Sequence, residues 1–158
     1  MAAETKTDSA GPRIRTMRPE DAARISAILG NSPEAVFWPE AEVKEVQAWR
    51  STLSLVAESS GTVTAFLLAR QAADEAEILN LAVERGSRRK GQAAALLQSA
   101  EKGLLERRVK RLFLEVRESN HAAIAFYEKY GFCKVGRRPA YYREPEEAAL
   151  VMEKKLAA

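Results

Sequence analysis

A mixed α+β fold, with a central and mostly antiparallel sheet of about seven strands, is predicted by three features of this chain. Strand-period segments first follow one another through tight turns, then alternate with long apolar-striped helical segments, and finally close on a last pair of strands. The turn Ser59-Ser60-Gly61 separates two apolar runs and marks a hairpin. The length, 158 residues with no Pro/Gly/Ser linker inside the body, suits one domain over 13–158 with an ample apolar core.

The elements follow in order. Arg13 to Met17 reads as a first strand. Arg18-Pro19-Glu20-Asp21 then starts a helix, because Pro fits the first helical turn and acids favour its positive end. Ala22, Ile25, Ile28 and Leu29 form its apolar stripe, and Gly30-Asn31-Ser32-Pro33 ends it. A second helix is expected from Pro39 to Trp49, with Val43, Val46 and Trp49 inward. Ser54 to Glu58 pairs with Thr62 to Arg70, and Glu75 to Val83 extends the meander. Helix 91–107, strand Arg111 to Val116, helix Asn120 to Tyr130 closed by Gly131, and paired strands Lys134 to Tyr141 and Ala148 to Lys154 complete the order.

Composition removes several classes of function. Hydrophobic residues make up 46% of the chain and charged residues 30%, an ordinary globular balance. Apolar runs such as Ala93 to Leu97 are far too short to span a bilayer, so no membrane partner is expected. Met1 to Pro12 has no apolar h-region and reads as a disordered tail rather than a signal peptide, which points to the cytoplasm. One cysteine, Cys133, and one histidine, His121, leave no ligand set for a metal and no Ser-His-Asp triad. Cys133 reads as a small packed hydrophobe, and His121 as an exposed first-turn residue.

Charge is unevenly placed. Between Arg85 and Arg111 nine Lys/Arg face only two acids, a local +7 in a chain of net +3. The cations at 107–111 sit favourably at a helix C-terminus. Those at Arg85, Arg88, Arg89 and Lys90 sit at a helix start, where the dipole already carries about +0.5 of charge and each added cation costs roughly 0.3–1 kcal/mol without an anion. Gly91 and Ala93 add small residues where a phosphate would approach the free amides of the first turn. The stretch reads as a pyrophosphate cradle formed by the backbone of Arg89, Lys90, Gly91, Gln92, Ala93 and Ala94, so side-chain replacement there is expected to matter little. Nucleic acid is not expected, since residues 84–111 include no aromatic for stacking.

Two motifs carry a family resemblance. Arg88-Arg89-Lys90-Gly91-Gln92-Ala93 matches the signature Gln/Arg-x-x-Gly-x-Gly/Ala between a strand and a helix, with Ala93 at the second glycine position. Leu114-Glu115-Val116-Arg117-Glu118-Ser119-Asn120, followed by Ala122 to Phe132, forms the second block. Together with Gly136 to Tyr142 and Ala149 to Met152, they resemble the GNAT acetyltransferase superfamily and, within it, the bacterial ribosomal-protein N-terminal-alanine acetyltransferases. The resemblance spans about Arg13 to Leu156. Glu84-Arg85 replaces the acid-Pro or His-Pro often found there, and the loop Arg143 to Glu147 is short for this family. The resemblance implies helices on both sheet faces, a cleft where the fourth and fifth strands splay, and acetyl-CoA as cosubstrate without a metal.

It also implies roles. Glu115 would be the base that accepts a proton from the amine, and Tyr127, twelve residues on, the acid that protonates the departing thiolate. Backbone groups of Leu81, Ala82 and Val83 would pair with the pantetheine arm, Arg88 and the cradle would hold pyrophosphate, and Asn120 would touch pantetheine. Phe37 and Trp38, in a loop between the first two helices, and Tyr141 and Tyr142 would wall the acceptor site.

Each residue has a plainer reading. Glu115 shares a strand face with Arg111, Phe113 and Arg117 and could be one half of an ion pair, although its position between Leu114 and Val116 desolvates it and raises its basicity. Tyr127 lies on the stripe Ala123, Ile124, Tyr127, Tyr130 and could be core. Asn120 could be only a helix-start residue beside Ser119 as N-cap. Three functions therefore stay open: acetylation of a protein N-terminus, with a ribosomal protein as one candidate acceptor; acetylation of a lysine or small-molecule amine; and acyl-CoA binding without turnover. Direct attack by the amine fits the lack of an activated Ser or Cys nucleophile. A monomer or weak dimer is expected.

Overall fold

The computed structural model describes residues 11–156, so Met1 to Ala10 of the expected tail lie outside the described residues. Seven strands, β1 (Arg13–Thr16), β2 (Thr52–Ser59), β3 (Thr62–Ala72), β4 (Glu75–Val83), β5 (Arg111–Arg117), β6 (Cys133–Tyr142) and β7 (Glu147–Lys155), form one sheet in the order β1-β2-β3-β4-β5-β7-β6. Four helices, α1 (Ala22–Gly30), α2 (Glu40–Ala48), α3 (Gln92–Glu106) and α4 (His121–Lys129), connect them. Every expected element is present, with ends displaced by a few residues. Among the described residues only β4 and β5 pair in parallel, because α3 carries the chain back over the sheet between them.

The helices cover both faces. The alternating residues of β3 show the division: Ala65, Leu67 and Ala69 pack in one core with Leu96, Leu97, Ala100 and Leu104 of α3, whereas Phe66 and Leu68 pack in the other with Ile25, Ile28 and Leu29 of α1. That double burial is why β3 reads as an unbroken apolar run. At the other extreme, β6 is an edge strand exposed almost throughout. Cys133 lies on it and is exposed, which corrects the expectation of a packed cysteine.

The β4–β5 ladder is short. It joins Glu75–Ile78 to Arg111–Leu114 and stops. At the same point the β3–β4 register slips: Ile78 faces Ala69 and Asn80 faces Leu68, leaving Leu79 as an extra residue. Such a bulge bends the strand and increases its twist. Past it, Leu79–Val83 of β4 and Glu115–Arg117 of β5 diverge and leave a cleft. The slip also changes faces, so Ala76 and Ile78 pack toward α3 while Ala82 packs toward α1.

The turn into α1 is held by a charge cluster. The Arg15 guanidinium grips Asp21 with two bonds of 2.8 and 3.0 Å and also meets Glu58. Asp21 in turn accepts from the Arg18 amide at 2.7 Å, closing the 3-10 turn at Pro19–Asp21. Burial would raise the Asp21 pKa, but the bonds from Arg15 and Arg18 outweigh it and hold the carboxyl below its ordinary 3.8. A depressed folded value means that the stabilisation is complete above the ordinary carboxylate range and drains away as pH falls through the folded value. We expect Asp21→Ala to lose about 1–3 kcal/mol at neutral pH. In urea denaturation, that deficit should shrink as the pH is taken well below 3.8.

Candidate functional site

Helix α3 begins at an unusual corner. Arg89 and Gly91 both have positive φ, 64° and 78°, and no side chain caps the helix, so its first amides point outward unpaired. A Cβ built on Gly91 would meet nothing within 4 Å, so the space beside this residue is open. The positive φ selects glycine here, and the space admits an anion. A cleft of ≈ 710 Å³ opens over this corner. Arg88, Arg89, Gly91, Gln92, Ala93 and Ala94 line one side and Leu81, Ala82 and Val83 another. Lys90 lies next to it in sequence but does not line it.

Two cradle side chains have other partners. Gln92 turns inward and is buried: its Oε1 accepts from the Thr64 hydroxyl at 2.8 Å and its Nε2 donates to Ser59 Oγ at 3.2 Å. This corrects the expectation that cradle side chains matter little, since Gln92 ties the corner to the β2–β3 hairpin. Arg88 donates to the Val83 carbonyl at 3.2 Å and pairs with Glu34 at 2.6 Å, so one of the four cations thought to need an anion already has a carboxylate.

A second cavity, of ≈ 320 Å³, occupies the splay between β4 and β5. It brings together Glu115, Tyr127, Trp38, Tyr141 and Tyr142 from four separate parts of the chain. Phe37 does not join them; its side chain lies near Gly30 and it is 54% exposed. The loop that carries Trp38 is pinned from below, where Ser26 Oγ donates to the Trp38 carbonyl at 2.9 Å and Asn80 Nδ2 to the Val36 carbonyl at 3.1 Å. Tyr141 and Tyr142 meet edge to face at 5.0 Å, and the Arg117 guanidinium sits 4.4 Å from the Tyr142 ring.

Tyr127 lines both cavities. Its ring packs between Phe126 and Phe132 at 5.2 and 5.3 Å, so the core reading is correct, and the same residue borders both cavities. Burial pushes its pKa well above the ordinary phenol value, which keeps it protonated. Asn120 also lines both cavities, and it is itself the N-cap of α4, accepting from the Ala123 amide at 3.1 Å. Ser119 is therefore not the cap; its amide instead donates to Glu147 Oε2.

Glu115 is mostly buried. Its Oε1 pairs with Arg138 at 3.3 Å, while Oε2 is buried without any partner. The ion-pair reading is thus realised with Arg138 rather than with the same-strand cations, because Arg111 pairs with Glu153 and Arg117 with Glu147. The surroundings are acidic. Burial, then the charge on Glu115, raises the pKa of Glu77. Tyr141 is raised chiefly by the neighbouring Glu115 carboxylate, and Tyr142 is pushed up to about 12 by burial and then by Glu115.

Sequence reasoning missed Glu34, Glu77, Asn80 and Arg138. Glu75 and Glu77 alternate with apolar Ala76 and Ile78 as an ordinary solvent face would, and only the parallel register with β5 shows Glu77 near Glu115. Among the described residues, no group of three or more His, Cys, Asp or Glu could hold a metal ion.

Comparison with known proteins agrees with this geometry. The acetyltransferase (GNAT) family model matches residues 23–132. The putative ribosomal protein bS18-alanine N-acetyltransferase of Bacillus subtilis is 31% identical over 88% of this chain and 92% of its own length. The Escherichia coli K12 ribosomal protein bS18-alanine N-acetyltransferase is 40% identical over 59% of this chain, a match that spans 64% of that protein. In three dimensions the chain is similar to the crystal structure of the Escherichia coli enzyme, with TM-score 0.84, 30% identity and coverage of 93% and 95% of the two chains. It is likewise similar to Ard1 from Thermoplasma volcanium, with TM-score 0.86, 28% identity and coverage of 94% and 100%.

The Gln92 contacts make a testable difference at the cradle. Gln92→Ala leaves the Thr64 and Ser59 hydroxyls without their partner and should cost about 1–3 kcal/mol. The shift of the urea midpoint measures it; an unchanged midpoint would show that the corner does not lean on this side chain.

Proposed function

This chain belongs to the acetyltransferase (GNAT) family, and on that premise we propose that it transfers an acetyl group from acetyl-CoA to the N-terminal α-amine of a protein, with a ribosomal protein as the leading acceptor. The observation that carries the proposal is the junction at Tyr127, where a cleft with a free-amide anion cradle meets a cavity holding a buried, half-unpaired carboxylate. The names and similarity of the relatives support the acceptor class.

The residues fit the cosubstrate. Free amides at the start of α3, the space over Gly91 and the cations Arg89 and Lys90 suit a pyrophosphate. The strand edge of Leu81 to Val83, unpaired on the β5 side, suits an amide-bearing arm added as a further strand. When bound, acetyl-CoA supplies an acyl carbon activated by its thioester. The chain supplies position and proton handling. Both cavities open at Tyr127, so donor and acceptor are held together and the attack becomes effectively unimolecular. As nitrogen bonds to the acyl carbon, the free oxygen of Glu115 would take the amine proton, and backbone amides on the β4 edge past Ile78, where pairing with β5 has ended, would stabilise the oxyanion. As the carbon–sulfur bond breaks, Tyr127 gives its proton to the departing thiolate. Burial keeps the Tyr127 phenol protonated at neutral pH, so the proton is in place before the thiolate forms.

An α-amine suits a site with one free carboxylate oxygen. Its pKa is about 7.7–8.0 against about 10.4 for lysine, so at neutral pH deprotonating lysine costs about 3–4 kcal/mol more.

We expect Tyr127→Phe to bind acetyl-CoA with unchanged affinity by calorimetry and to lose about 10²–10⁴-fold in kcat, since the hydroxyl is used only as the thiolate develops. Wild-type turnover would reduce Tyr127 to a core residue. For the acceptor, two peptides of one sequence are compared, one with a free N-terminus and blocked lysine, the other with a blocked N-terminus and free lysine. The α-amine peptide should be acetylated faster by mass spectrometry; equal or faster labelling of lysine would move the acceptor class while leaving the transfer chemistry in place.

A further inference from the structure

The ladder between β6 and β7 is broken next to the acceptor cavity. It runs to Arg138↔Ala149 and resumes only at Tyr142↔Glu147. Between them Pro139 has no amide to lose from a ladder, and Ala140 takes a φ of +53°, uncommon for a residue with a Cβ. Such irregularities re-aim side chains. Here Arg138 and Tyr141, which would point to opposite faces of a regular strand, come together with the guanidinium 5.8 Å from the Tyr141 ring centroid, and both converge on Glu115.

The Arg138 contact differs from its neighbours. Arg111 and Arg117 pair with acids on the adjacent strand β7, whereas Arg138 reaches from β6 across β7 to β5, over its small register partner Ala149. An ion pair whose arginine side chain is 60% exposed contributes little to stability. Its consequence is orientation. Arg138 lines an outer groove of ≈ 480 Å³ on one side of Glu115 and does not line the acceptor cavity on the other; Glu115 lines both. Approached from the groove, Glu115 commits Oε1 to Arg138 and retains a buried, unpartnered Oε2.

We propose that Arg138 is a positioning residue for the transfer, holding Glu115 by Oε1 from the outer groove so that Oε2 is the oxygen that takes the amine proton. The inference rests on the reading of Glu115 as the base. Arg138 exchanges no proton; the proton passes from nitrogen to Oε2. The guanidinium also offsets the mutual repulsion of Glu77 and Glu115, which line the same groove. Without it, two carboxylates would face each other and Glu115 could turn away from the cavity.

The test is steady-state kinetics on an acceptor peptide with acetyl-CoA, using the full chain. Arg138→Ala should lower kcat about 10-fold or more with nearly unchanged peptide KM, as expected when a reacting group loses its alignment. Its melting temperature should stay at the wild-type value. Because the side chain is largely exposed, guanidinium chloride at sub-denaturing concentration should restore part of the rate to Arg138→Ala and none to Glu115→Gln. Arg137→Ala, whose arginine pairs with Glu118, should run at the wild-type rate. Adding Arg138→Ala to Glu115→Gln should slow the enzyme no further. The proposal is overturned if Arg138→Ala keeps wild-type kcat, loses rate through KM alone, or is not rescued by guanidinium, while Glu115→Gln is slow. Wild-type turnover by Glu115→Gln itself would instead remove the base assignment on which both readings stand.

Discussion

The parting of β4 from β5 after Ile78 and Leu114 is the constraint on which the site depends. A sheet gains by pairing every backbone group, and a buried group left unpaired costs about 1–3 kcal/mol. This fold leaves the ladder unfinished at its centre and places an extra residue, Leu79, where the strands separate. The opened edge is therefore wet or filled by a ligand, and both cavities border it. Closing the ladder would satisfy the backbone and abolish the cleft.

Electrostatics divides the cleft into two ends. At one end the α3 amides, Arg89 and Lys90 favour an anion, while Glu34 neutralises Arg88. At the other, Glu115 and Glu77 make an acidic wall beside the two tyrosines, tempered by Arg138 and Arg117. Tyr127 lies between. Its ring is fixed by Phe126 and Phe132, so a packed residue borders both cavities. The two readings of Tyr127 were never exclusive, because a rigid phenol is also a well-placed one.

Positions at the periphery are held by contacts between distant segments. The Trp38 loop depends on Asn80 from β4 and Ser26 from α1, and the cradle depends on Gln92 reaching Thr64 and Ser59. These buried polar side chains have little room for alternatives, since each leaves a partner unsatisfied if removed.

The sequence by itself determined the element order and a glycine behind a basic run at a helix start, because strand and helix periods and turn residues are local chemistry, whereas Glu115 and Tyr127 stood out only through the family resemblance, since pattern alone left them as half of an ion pair and a core aromatic. Tertiary structure decided which cation meets Glu115, that Glu77 lies beside it, that Phe37 stays outside while Trp38 enters, that Asn120 is the cap, and that Cys133 is exposed. These depend on strand register, on the β3–β4 and β6–β7 irregularities, and on which strand lies at the edge of the sheet. A single inserted residue in a ladder turns every later side chain to the other face, and no pattern along the chain reveals where that insertion falls.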